Sequence, residues 1–234
     1  MEEIKYPVRI NKYLALKNIC SRKEADILIA QKKVRINNSI AVLGAKVNEG
    51  DNVSVSNFTK DLIYLAFNKP KGVITHSPQK GETEIKEILK IRHKVFPVGR
   101  LDKDSSGLII LTNDGRITDK ILNPEYSHEK EYIVKVSEPI DNHFIKRLAT
   151  GVRLDDGYIT KKCLVRKTGN NLFSIILTEG KNRQIRRMCS QLHRAVVELK
   201  RVRILNVELG ALKPGEFRTL KGEELAKFLK AVGL

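Results

Sequence analysis

The chain is short of acid, of cysteine and of long apolar runs. Of its 234 residues, 44 are Lys or Arg and 27 are Asp or Glu, a formal net charge of +17. An acid deficit on this scale points to a polyanionic partner, nucleic acid first and an anionic membrane surface second. No run approaches the roughly 18 apolar residues of a membrane span. The N-terminus is charged and polar, without the apolar segment of a secretory signal. Cysteine occurs three times, at Cys20, Cys163 and Cys189. That odd count without metal-ligand spacing reads as reduced thiols in a cytoplasmic protein. The five histidines are scattered, so neither a zinc site nor a structural disulfide is expected.

What is present is ample apolar material for a core, 41% of residues, and charge that is unevenly spread. Residues 1–60 carry 11 basic and 6 acidic side chains; residues 181–203 carry 8 and 1. The second run is interleaved with apolar residues, so part of it belongs to ordered structure. In the first segment Val8, Ile10, Leu14 and Leu16 suggest a short amphipathic helix. Ser21-Arg22-Lys23-Glu24 has the form of a capping box, after which Ala25, Leu28 and Ile29 give a second helix its buried stripe. Val34 and Ile36 lead into the turn residues Asn37-Asn38, and Ile40 and Val42 lead out. Val47, Val53 and Val55 complete a small strand pattern.

Residues 56–61 read as a linker and 62–67 as an apolar strand. Asn68-Lys69-Pro70-Lys71-Gly72 reads as a loop on the strength of its Pro and Gly. Strand propensity returns at 108–111, through Lys130–Val136, and in the pairs 158–166 and 172–177. Asp141 can cap a helix, 183–193 fits a helix, 196–207 returns to strand, and a short C-terminal helix starts near Glu223. Strands broken by a few helices indicate an α+β fold with a mainly antiparallel sheet. The expected domains are 1–59 and 60–234.

The most informative stretch is 99–115, Gly-Arg-Leu-Asp-Lys-Asp-Ser-Ser-Gly followed by an apolar run and Thr-Asn-Asp-Gly. It places the carboxylate of Asp102 on a polar loop feeding a buried strand, where catalysis tends to sit. This run resembles the signature of the pseudouridine synthases in the RsuA/RluB/RluF form, and within that family Thr160-Lys161-Lys162-Cys163 and the run from Asn182 to Cys189 look most like the RluF branch. Residues 9–55, best at Ile19-Cys20-Ser21-Arg22-Lys23-Glu24-Ala25, resemble the S4 RNA-binding domain.

The resemblance implies an isomerase that turns a uridine of ribosomal RNA, most readily the 23S large-subunit RNA, into pseudouridine. It implies a catalytic carboxylate at Asp102 and no metal or other cofactor. Tyr132 matches an aromatic residue that stacks on the target base. Arg186, in Asn182-Arg183-Gln184-Ile185-Arg186-Arg187-Met188, matches an arginine that pairs with the carboxylate, and Ile185 would be an apolar pocket wall. Arg100 matches an arginine that fills the gap left by the flipped base. Arg183 and Arg187 are then free for phosphate, as are Arg9, Lys12, Arg22, Lys23 and Lys33 of the S4-like segment. The expected protein is a cytoplasmic monomer bound to structured RNA and to no membrane.

Small-subunit RNA, transfer RNA and a non-catalytic S4-type binder stay open as alternatives. So does a metal-dependent RNA-processing enzyme, which would want Asp104 and Asp114 beside Asp102; Asn113-Asp114-Gly115 reads better as a turn.

Overall fold

A computed structural model describes residues 4–17, 19–56, 61–91 and 94–234. Most of the expected linker, residues 57–60, lies outside them. The N-terminal unit runs β1 (Val8–Arg9), α1 (Ile10–Leu16), α2 (Arg22–Ala30), β2 (Val34–Ile36), β3 (Ser39–Ile40), β4 (Lys46–Val47) and β5 (Val53–Val55). Val8 belongs to the short strand β1, paired with Val47, and the first helix begins at Ile10. The capping box forms as its sequence dictates: the Glu24 N–H donates to Ser21 Oγ, and the Ser21 N–H donates to Glu24 Oε2 at 3.0 Å. Both residues of the Asn37-Asn38 turn adopt positive φ, which asparagine tolerates better than most side chains. Ile10, Leu14, Ala25, Leu28, Ile29, Val34 and Val47 close a small core of their own; Val42 remains exposed.

The remainder is built on a nine-stranded sheet. Its elements are β6 (Tyr64–Lys69), α3 (Ile85–Ile88), β7 (Phe96–Val98), β8 (Ser106–Thr112), α4 (Arg116–Leu122), β9 (Lys130–Val136) and α5 (Asn142–Thr150). There follow β10 (Leu164–Lys167), β11 (Leu172–Leu177), α6 (Gln184–Gln191), β12 (Val196–Ile204), β13 (Val207–Glu208), β14 (Phe217–Thr219) and α7 (Gly222–Ala231). The strand order is β10-β11-β9-β12-β8-β6-β14, with β13 on β12 and β7 on β8. All these pairings are antiparallel except β12 with β8.

Three clusters cover the sheet. One packs α5 and α6 over β9, β11 and β12, another packs α4 and α7 over β6, β8 and the end of β12, and a third surrounds Phe67, Ile85 and Ile109. Among the described residues no helix is long and apolar enough to cross a membrane.

The fold is the α+β, mainly antiparallel architecture expected, with one consequential difference. Asn68 and Lys69 are not loop: β6 continues through both, and both are buried. Lys69 pairs with Gly107 of β8, so the ladder carries the strand as far as the Pro70 ring allows.

Candidate active site

Asp102 stands on the loop between β7 and β8, and main-chain bonds hold that loop on both sides of it. Before it, the Thr75 hydroxyl donates to the Leu101 carbonyl at 2.9 Å and accepts from the Leu101 N–H at 3.1 Å. After it, the Gly72 N–H donates to the Lys103 carbonyl at 2.8 Å. The Ser105 N–H then closes a turn on the Asp102 carbonyl at 3.0 Å. The loop enters through Gly99 at φ +81°, where an added Cβ would stand 2.9 Å from the Leu122 side chain. The Asp102 side chain is 32% exposed, open to a substrate while its backbone is fixed.

The arginine beside the carboxylate is not the one the sequence suggested. Arg183 places Nη1 3.7 Å from Asp102 Oδ2. It can do so because it is the N-cap of α6 in the left-handed conformation, φ 46°, and stands outside the first turn. Arg186 lies within the helix, and its guanidinium is taken up by main chain. Nη1 donates to the Val196 carbonyl and Nη2 to the Asp104 carbonyl, each at 3.1 Å. It braces the loop carrying Asp102 rather than pairing with the carboxylate, although its charge remains within electrostatic reach of Asp102. Burial, followed by the neighbouring Arg183 charge, lowers the Arg186 pKa.

Arg187, expected to face phosphate, is paired with Asp155 and Asp156 instead. Ile185 is buried in the core cluster on which Tyr132 packs. Tyr132 is half-buried in β9, opposite Arg201 of β12. Arg100 is exposed on the loop, and Arg9, Lys12, Arg22 and Lys23 are exposed on the N-terminal unit.

Residues the sequence reading passed over hold this arrangement together. Glu179, 3% exposed, accepts from the Tyr158 hydroxyl at 2.6 Å, the Lys161 N–H at 3.0 Å and the Gln184 amide at 2.5 Å. Gln184 in turn accepts from the Lys181 N–H at 3.0 Å. This knot pins the segment that presents Arg183, and the hydrogen bond to Glu179 raises the Tyr158 pKa. Lys69 lies under the influence of the loop acids Asp102 and Asp104, and Arg201 acts on both Lys69 and a further drawn-in lysine, Lys130. Burial pushes Lys69 and Lys130 each down to about 8. A signal for them existed, since each sits in or beside an apolar strand. Their charge made them read as surface. Among the described residues no group of three or more His, Cys, Asp or Glu side chains could hold a metal ion.

A part-exposed carboxylate beside a part-exposed guanidinium, in a chain of net charge +17, suits chemistry on a nucleotide held by its phosphates. Comparison with known proteins agrees. The RNA pseudouridylate synthase family matches residues 63–191 and the S4 domain matches residues 8–53. The chain is 42% identical over 231 residues to the dual-specificity RNA pseudouridine synthase RluF of Escherichia coli K12, covering 96% of this chain and 79% of that one. It is 32% identical to the ribosomal large subunit pseudouridine synthase B of Bacillus subtilis, over 94% of each chain. A crystal structure of a pseudouridylate synthase superposes with a TM-score of 0.70 at 28% identity, covering 94% of this chain and 99% of that one.

Proposed function

The chain belongs to the RNA pseudouridylate synthase family, and from that premise we propose that it isomerises a specific uridine of large-subunit ribosomal RNA, with Asp102 as the acting carboxylate. The reaction breaks the C1′–N1 bond of uridine, rotates the base and joins C1′ to C5. The proton displaced from C5 is balanced by one gained at N1. Asp102 stands at the sugar and base during these steps. The target nucleotide leaves its stack to reach the carboxylate, lies against the Tyr132 ring, and is replaced in the helix by Arg100. Arg183 supports the anionic carboxylate, and Arg186 fixes the loop from which it acts.

We place the division of labour between residues 1–59, which grip RNA backbone through Arg9, Lys12, Arg22 and Lys23, and residues 60–234, which carry the chemistry. The protein acts as a monomer in the cytoplasm.

The observation that carries this reading is the Asp102 loop itself: a solvent-accessible carboxylate whose main chain is fastened before and after it. The test is incubation of wild type and Asp102→Asn with unmodified large- and small-subunit ribosomal RNA, followed by pseudouridine mapping. Wild type is expected to add pseudouridine at a defined large-subunit position. Asp102→Asn should bind the RNA as wild type does and lose turnover by several orders of magnitude. An active Asp102→Asn enzyme removes the assignment; modification of small-subunit RNA alone moves the substrate.

A further inference from the structure

Lys69 ends β6 with no exposed surface at all, an unusual place for an ammonium. Its neighbours explain how it fits. In the sheet Lys69 pairs with Gly107, Gly107 with Arg201, and Arg201 with Tyr132. Paired residues project to one face, so these four form a row across β6, β8, β12 and β9. Gly107 contributes no side chain to that row, and a Cβ there would run into the Arg201 main chain, so β8 and β12 approach closely between the two cations. Among the described residues neither cation has a salt bridge of its own. Lys69 Nζ donates to the Pro70 and Val73 carbonyls at 2.9 and 2.6 Å, and Arg201 Nε donates to the Leu108 carbonyl at 2.7 Å. Arg201 Nη2 is buried without a partner among the described residues.

The carboxylates that act on Lys69 are Asp102 and Asp104, both on the catalytic loop. Arg201 opposes them. Lys130, Tyr132, Arg183 and Arg186 complete the charged and titratable surroundings of this floor. The Lys69 ammonium also has a mechanical route to the same loop. It gathers the carbonyls of the 70–73 turn, and the Gly72 N–H of that turn holds the Lys103 carbonyl one residue beyond Asp102.

Building on the reading of Asp102 as the acting group, we propose that Lys69 is a positioning residue for the reaction. Its buried ammonium is the counter-ion of the Asp102 loop and ties the 70–73 turn beneath it. It does not touch RNA, because no part of it reaches the surface. Its loss therefore costs turnover and spares affinity.

The experiment is single-turnover pseudouridine formation across neutral and alkaline pH, with RNA affinity measured in parallel. Wild type should lose its rate constant with a midpoint near 8, where burial places the Lys69 titration. Lys69→Gln, which keeps a donor and drops the charge, should lose roughly 10- to 100-fold in rate, the scale of a small misplacement of a reacting group. Its affinity for RNA should be unchanged. Lys69→Arg, which keeps the charge and does not titrate in this range, should retain activity and lose the alkaline limb.

A wild-type profile without the limb, a limb that survives Lys69→Arg, or full activity in Lys69→Gln overturns the proposal. If neither variant folds, NMR titration of the Lys69 ammonium decides. Asp102→Asn should lower its midpoint, and an unmoved midpoint overturns the proposal. That titration needs no turnover. It therefore separates failure here from failure of the functional reading, whose sign is a wild-type enzyme that forms no pseudouridine.

Discussion

Gly107 has no room for a side chain. An added Cβ would lie 2.2 Å from the Arg201 carbonyl oxygen, and the residue sits at φ +105°, which L side chains rarely adopt. The close approach belongs to the parallel contact of β8 with β12, the joint between the two halves of the sheet. Gly107→Ala is therefore expected to cost at least about 3 kcal/mol, the upper range of overpacking with backbone strain added. Urea unfolding of the two proteins measures it, and a cost below about 1 kcal/mol would show that the joint gives way. At this scale the sequence was legible where chemistry is local. Asp102 announced itself by its surroundings, and Ser21 with Glu24 by their spacing. Arg183 took the place expected of Arg186 beside the carboxylate because a left-handed N-cap turns its side chain out of the helix, a conformation that spacing along the chain does not encode.

Helix α6 delivers Arg183 and Arg186 to the loop; Ile185, Met188 and Cys189 anchor it in the core, and Glu179 holds its first residue, Gln184. Glu179→Ala removes the acceptor for Tyr158, Lys161 and Gln184 at once. Unpartnered donors in a buried site cost about 1–3 kcal/mol each. The expected result is a lowered melting temperature together with a fall in turnover that exceeds any change in RNA affinity. A fall in affinity alone would mean that the segment serves binding. The elements themselves were largely readable. β9 and the Asp141-capped helix α5 follow from periodicity and caps, the Asp141 side chain accepting the Phe144 N–H at 2.7 Å. β7 and β14 were not read: a proline sits inside Phe96–Val98, and Phe217–Thr219 holds a single apolar residue, so neither shows the alternation that marked Val34–Ile36 and Val53–Val55. The end of β6 was misread as loop because Pro70 and Gly72 outweighed a lysine that the fold buries.

Across the whole molecule, the buried titratable groups set an unusual dependence of stability on pH. Lys69 and Lys130 titrate at about 8 when folded against an ordinary 10.5. Above pH 8 the unfolded chain thus holds protons that the folded chain has released, and stability rises with pH. Burial moves the thiols the other way, Cys163 to about 11 and Cys189 to about 12 from 9.0. Above pH 9 the unfolded chain releases those protons first, which erodes stability, and buried Tyr64, raised from 10.0, adds to the loss. Melting temperatures should therefore climb from neutral pH to a maximum near pH 9 and then decline. A monotonic fall from neutrality would show that the lysines are not buried as described. One feature of the sheet also bears on how the protein comes into being. β6 is buried along its length and lies between β8 and β14, yet β14 is the last strand in the chain. A nascent chain therefore carries an open apolar edge until Phe217–Thr219 leaves the ribosome.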